Sequence, residues 1–142
     1  MQRISIILLL PLLLCFSACN DANPQGRVAV RGNVSLEGKP IDEGSIQFES
    51  LPEMQPNVIT GGTIQKGTFS LAASDGLIPG QEYIVRIRSM EEVPGTREKS
   101  ADSMMSRPDY RDIVPPQYGK ASTLTFTATK KSPNVFQIDM QP

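Results

Sequence analysis

Between Val28 and Met140 the apolar side chains recur at every second residue in a series of short segments, with no convincing helical spacing. Val28, Val30, Val34 and Leu36 share one parity, while Arg27, Arg31, Asn33 and Ser35 share the other. A strand sends successive side chains to opposite faces, so this pattern predicts a strand wet on one face and buried on the other. Ile46 and Phe48 repeat it against Ser45, Gln47 and Glu49, and Phe69 with Leu71 repeat it again. Tyr83, Val85 and Ile87 alternate with Arg86 and Arg88; Leu124, Phe126 and Ala128 alternate with threonines; Phe136, Ile138 and Met140 alternate with Gln137 and Asp139. Val58 to Ile64 reads as a weaker strand, interrupted by Gly61-Gly62.

Seven such segments, separated by turns at Gly38-Lys39-Pro40, Lys66-Gly67 and Pro79-Gly80, predict an all-β domain over residues 27–142. The expected architecture is a seven-stranded antiparallel Greek-key β-sandwich, with one face of each sheet in the core and the other in water. A closed barrel is the alternative. The chain has 142 residues, of which 39% are hydrophobic and 20% charged, a globular composition sized for one domain. Fourteen Lys and Arg against fifteen Asp and Glu leave a net charge of −1, without the basic excess of a nucleic-acid binder.

The first eighteen residues read as an address. Arg3 precedes the apolar run from Ile6 to Phe16, which is too short to span a bilayer and has the charge-then-apolar order of a secretory signal. Phe16-Ser17-Ala18-Cys19 resembles the lipobox of bacterial lipoproteins, with phenylalanine where leucine is commoner. The resemblance implies a lipoprotein signal peptide over residues 1–18, cleavage after Ala18 and covalent lipid on Cys19. Membrane lipid would then be a partner through Cys19, and the protein would reside in the bacterial cell envelope, in the outer or cytoplasmic membrane. The alternative is ordinary cleavage after Ala18, leaving a free thiol. Multiple acyl chains hold a protein firmly where one chain gives marginal binding. Residues 19–26 read as a tether, and its seven residues from Asn20 to Gly26 reach about 24 Å at most when extended.

The opening Gly32-Asn33-Val34-Ser35-Leu36-Glu37-Gly38-Lys39-Pro40-Ile41, followed by Gly44-Ser45-Ile46-Gln47-Phe48, resembles carboxypeptidase regulatory-like domains, whose fold is transthyretin-like (prealbumin-like). Gly67-Thr68-Phe69-Ser70-Leu71 and Gly80-Gln81-Glu82-Tyr83-Ile84-Val85 are similar to that family's later glycine-x-aromatic steps, in the same order. Ile113-Val114-Pro115-Pro116-Gln117-Tyr118 resembles a segment of small bacterial lipoproteins of this kind. The likeness covers residues 27–90 well and 113–140 more loosely. It implies a sandwich, not a chemistry. Related surface-display sandwiches carry a Lys–Asn isopeptide bond; here the first strand has no lysine and the Tyr83 strand has arginines in the acid's place.

Catalysis is not expected. Histidine is absent, and Cys15 and Cys19 both fall outside residues 27–142, which removes the commonest general base and the thiol nucleophile. Zinc or copper through imidazole or thiolate is excluded on the same ground, and no regular calcium-loop spacing appears. The carboxylate pairs Asp42-Glu43, Glu91-Glu92 and Asp109 with Asp112 fall in loop-like sequence. No cofactor is expected beyond lipid on Cys19.

The most informative segment for function is 91–122, a connection without period. Long loops of this kind tend to be functional or mobile. Arg107, Tyr110, Arg111 and Tyr118 are its candidate partner-binding residues, facing an envelope protein or a glycan. The section 113–118 is expected to lie against the sandwich. The reading that results is a lipid-anchored, non-catalytic binding or structural module. A surface carbohydrate-binding module is the alternative, weakened by the absence of tryptophan platforms, and a carboxylate-dependent hydrolase is the second.

Overall fold

The computed structural model describes Asn23, residues 25–94 and residues 108–142. Among these residues the protein is all-β. In chain order the strands are β1 (Val30–Leu36), β2 (Lys39–Pro40), β3 (Glu43–Ser50), β4 (Ile59–Gln65), β5 (Thr68–Leu71), β6 (Glu82–Arg88), β7 (Met90–Glu92), β8 (Tyr110–Asp112), β9 (Thr125–Thr127) and β10 (Asn134–Met140). A single 3-10 turn, Ala73–Asp75, follows β5. No described helix is long and apolar enough to cross a membrane.

The seven alternating segments correspond to β1, β3, β4, β5, β6, β9 and β10, and their faces follow the predicted parity. Val30, Val34, Ile46, Phe48, Phe69, Leu71, Tyr83, Val85, Ile87, Phe136 and Met140 are buried. Their sequence neighbours Arg31, Asn33, Ser45, Gln47, Ser70, Gln137 and Asp139 are mostly exposed, as one-sided strands require. The three further strands are short: β2 returns from β1, and β7 and β8 form inside the segment expected to be loop.

Seven strands lie on one hydrogen-bonded path, β10-β1-β5-β4-β3-β6-β9, and β2 pairs with β1. The expectation of two separate sheets is therefore corrected to one curled sheet. β4 and β5 share one register pair, Gln65 with Thr68, and the path bends there. The bend lets the β10-β1-β5 wing face the β4-β3-β6-β9 wing, giving a sandwich-like molecule with its core between the wings. Phe48 of β3 meets Phe69 of β5, Phe126 of β9 and Phe136 of β10 at ring-centroid distances of 6.0 Å. Phe126 and Phe136 stand edge to face at 5.5 Å, an arrangement that aromatic quadrupoles favour.

The antiparallel expectation needs one further correction, because β1 and β10 pair in parallel over seven residues, Val30–Asn134 to Leu36–Met140. The reason is the short crossing at 128–133. β9 runs against the direction of β1, so a reversal between the wings delivers β10 alongside β1 in the same sense. Asn134 pins this crossing: its buried side chain accepts from the Thr129 N–H at 2.9 Å and donates to the Thr129 and Lys131 carbonyls at 3.0 and 2.7 Å.

Two tight hairpins set the register. Glu37 and Gly38 both take positive φ between β1 and β2, and Lys66 and Gly67 do the same between β4 and β5. Two consecutive left-handed residues define the turn whose twist matches the flanking strands. Gly61 plays another part. It does not interrupt β4, which is continuous; a Cβ there would stand 2.2 Å from the Ile46 carbonyl of β3. The bare glycine allows that close approach.

The registers also give the molecule two distinct ends. β1 and β6 run in the same direction, so the N-terminal approach at Val28, bonded to Leu77, lies at the end where β6 begins. The turns at 37–38 and 66–67, together with the end of β6, lie at the other end.

Candidate functional site

The chain leaves β6 at Arg88 and at once builds a second, two-stranded sheet. β7 pairs antiparallel with β8 in the register Met90–Asp112, Glu91–Arg111 and Glu92–Tyr110. This hairpin is fixed to the main sheet at its base, where the Ile113 N–H donates to the Ser89 carbonyl at 3.0 Å and the Ser89 hydroxyl donates to the Glu43 carbonyl at 2.6 Å. It stands at the end of the molecule opposite the N-terminal approach. Tyr110 is 56% exposed and Met90 48%, both unusual for large apolar side chains. Alternation places them on one face with Glu92 and Asp112. On the other face Glu91 and Arg111, directly opposite each other, form an exposed ion pair at 3.0 Å.

The three candidate residues that are described, Tyr110, Arg111 and Tyr118, face different surroundings. Tyr110 and Arg111 are neighbours on β8, on opposite faces of the hairpin. Tyr118 belongs elsewhere: it is half-buried against the core, and its hydroxyl accepts from the Gln141 N–H at 3.3 Å. It acts as a pin between the 113–122 segment and the end of β10. Arg107 lies outside the described residues, as do Ala18 and Cys19. The expectation that 113–118 lies against the sheet matches what is seen. Val114 is buried and the Ile87 N–H donates to the Tyr118 carbonyl at 2.8 Å.

Between the hairpin and the β1–β2 turn runs a groove of about 830 Å³. Asp42, Glu43, Glu91, Glu92 and Asp112 line it, so the three carboxylate pairs noted in sequence are partly gathered in one place. Lys39 and Arg111 oppose them. Among the described residues no group of three or more Asp, Glu, His or Cys side chains could hold a metal ion.

A second, narrower cleft of about 480 Å³ lies on the outer face of β3 and β6, lined by Ser45, Gln47, Arg86, Arg88, Asp112 and Lys120, with Gly119. The register sets Ser45 beside Arg88 and Gln47 beside Arg86. Arg86 is locked in place: its Nε and Nη2 each reach Glu49 Oε2 at 3.1 Å, and its Nη1 donates to the Lys120 carbonyl at 3.0 Å. Asp112 Oδ1 accepts from the Val114 N–H at 3.0 Å. The sequence did carry a signal for this cleft, two arginines two residues apart on the wet parity of one strand. It could not reveal that residues 119–120 return to wall it.

Among the described residues two ionisable groups are shifted, and both serve the fold. Burial pushes the Tyr83 hydroxyl above its ordinary value, against the lowering effect of the Ile78 N–H that donates to it at 2.8 Å. The same hydroxyl donates to Gln81 Oε1 at 3.1 Å. Asp139 is held below the ordinary carboxylate value, first by the Ser35 hydroxyl at 2.7 Å and then by the Gly38 N–H at 2.8 Å.

No protein-family model matches the chain, and no curated protein or solved structure matches it.

Proposed function

We propose that the chain is a lipid-anchored protein of the bacterial cell envelope whose domain is a non-catalytic binding or structural module. In this reading the signal peptide over 1–18 is cut after Ala18, lipid on Cys19 holds the protein to the membrane, and residues 19–26 tether the sheet. The finer fold assignment is part of the same reading: a Greek-key sandwich of the transthyretin-like kind found in carboxypeptidase regulatory-like domains, supported by the ordered motifs from Gly32 to Val85.

The observation that carries the proposal is polarity. The N-terminal approach is at one end of the sheet and the β7–β8 hairpin at the other. Strands of seven residues separate the two ends by about 20 Å. An anchor at one end therefore presents Tyr110, Met90 and Arg111 away from the membrane, where an envelope protein can dock. Exposed aromatic and arginine side chains are the usual anchors of such contacts. The glycan reading has less behind it, because Tyr118 is engaged with the core and leaves Tyr110 as the exposed ring among the described residues.

Growth of the producing bacterium with radioactive palmitate tests the anchor. Label is expected in the wild-type chain and in the membrane fraction, and Cys19→Ala should lose both. Unlabelled wild type, or label that persists in the alanine variant, would refute the anchor.

A further inference from the structure

We propose that the cleft between Arg88 and Lys120 binds an oxyanion, the carboxylate or phosphate group of a ligand. The argument begins with charge. Arg86, Arg88 and Lys120 converge on one cleft and face one carboxylate within it, Asp112, in a chain whose net charge is −1. The cations differ in how they are engaged. Arg86 gives its guanidinium to Glu49 and to the Lys120 carbonyl, so it forms a fixed floor and a brace for residues 119–120. The Arg88 side chain is exposed and makes no ion pair or hydrogen bond with any described residue. A guanidinium presents paired N–H donors in a planar fork that matches the two oxygens of a carboxylate or phosphate.

The surroundings complete the fit. Ser45 and Gln47 stand beside the two arginines in register and offer a hydroxyl and an amide to a bound oxygen. Gly119 lines the cleft without a side chain, and Lys120 supplies a second cation from the facing wall. Asp112 is turned toward the Val114 N–H, so one of its oxygens is already occupied. The walls are the rigid β3–β6 pair and a segment tied down at Tyr118 and Ser122, whose hydroxyl donates to the Val85 carbonyl. Preorganised walls lower the cost of binding. The cleft adjoins the base of the β7–β8 hairpin through Asp112, so a ligand there would also touch the face proposed for docking.

The test is a titration of the full chain, held in uncharged detergent micelles, with inorganic phosphate and with acetate. Amide and arginine Nε–H shifts are followed by NMR at constant ionic strength set by chloride. Saturable shifts are expected at Arg88, Gly119 and Lys120, with binding at least fivefold weaker in Arg88→Gln and in Lys120→Gln. Arg31→Gln, on the outer face of β1, should bind as wild type does. Saturation by phosphate alone assigns a phosphate ligand, by acetate alone a carboxylate, and either supports the site. Shifts that grow linearly as they do with chloride, or that persist unchanged in Arg88→Gln and Lys120→Gln spectra of folded protein, would overturn it. The titration reads the cleft alone and gives the same answer whether or not Cys19 carries lipid.

Discussion

Tyr83 shows how a single residue both fills the core and organises the chain around it. Its ring is fully buried, while its hydroxyl accepts from the Ile78 N–H and donates to Gln81, closing the turn that leads into β6. Tyr83→Phe removes both bonds and leaves the Ile78 N–H and the Gln81 side-chain oxygen Oε1 without these partners in a largely buried place. Urea unfolding should show a loss of about 1–3 kcal/mol, the usual desolvation penalty for orphaned groups. The raised ionisation of Tyr83 predicts a pH effect of definite sign. The unfolded chain releases the phenolic proton near 10.0 while the folded chain keeps it. Stability is therefore full below that value and declines as pH rises above it, and Tyr83→Phe should flatten this alkaline decline. Tyr83 was legible in sequence as a core residue by its parity; its hydrogen bonds were not, because they depend on how the 76–81 turn folds back.

At the scale of elements, the sheet is held at its weakest joints by side chains that reach across them. The parallel β1–β10 pair is latched at its far end by Asp139, which accepts from the Ser35 hydroxyl and the Gly38 N–H. Its depressed ionisation gives the sign: the latch is fully set above the ordinary carboxylate value of 3.8 and is released as pH falls through the lower folded value. Asp139→Asn should lower the melting temperature at neutral pH, and the gap from wild type should shrink in acid; an equal gap at pH 7 and in strong acid would refute the latch. The Glu91–Arg111 pair of the hairpin is exposed on both sides, so Arg111→Ala should cost less than about 1 kcal/mol and leave the spectrum of the main sheet unchanged. Period-two alternation located seven strands because each is buried on one face, and the burial is what writes the pattern. β7 and β8 escaped notice because the hairpin stands clear of the core, with no apolar face to write one. The parallel pairing escaped because alternation reports faces and says nothing about direction.

For the whole molecule, the four-phenylalanine cluster joins the two wings inside the shared core, while in the strand ladder the wings meet at one residue pair between β4 and β5. Phe48 touches all three of the others, and Phe48→Ala should cost about 3–5 kcal/mol in urea unfolding, as buried phenylalanine truncations do. The cluster's members were readable in sequence; that they come from both wings and meet one another was not, because sequence carries no information about which strands face across a core. The candidate site was less legible still. Its residues were chosen from one segment of chain, and the fold sends Tyr118 inward, Tyr110 outward and the unforeseen Arg88–Lys120 cleft to the neighbouring face. In the proposed arrangement the sheet carries the hairpin away from a lipid anchor at Cys19. Spin labels at Ser74→Cys, near the N-terminal end of the sheet, and at Tyr110→Cys, on the hairpin, measure this directly in vesicles that also hold the lipidated chain and a headgroup-bound relaxation agent. Strong relaxation is expected at position 74 and weak relaxation at position 110. Equal relaxation at the two positions, or stronger relaxation at 110, would contradict it.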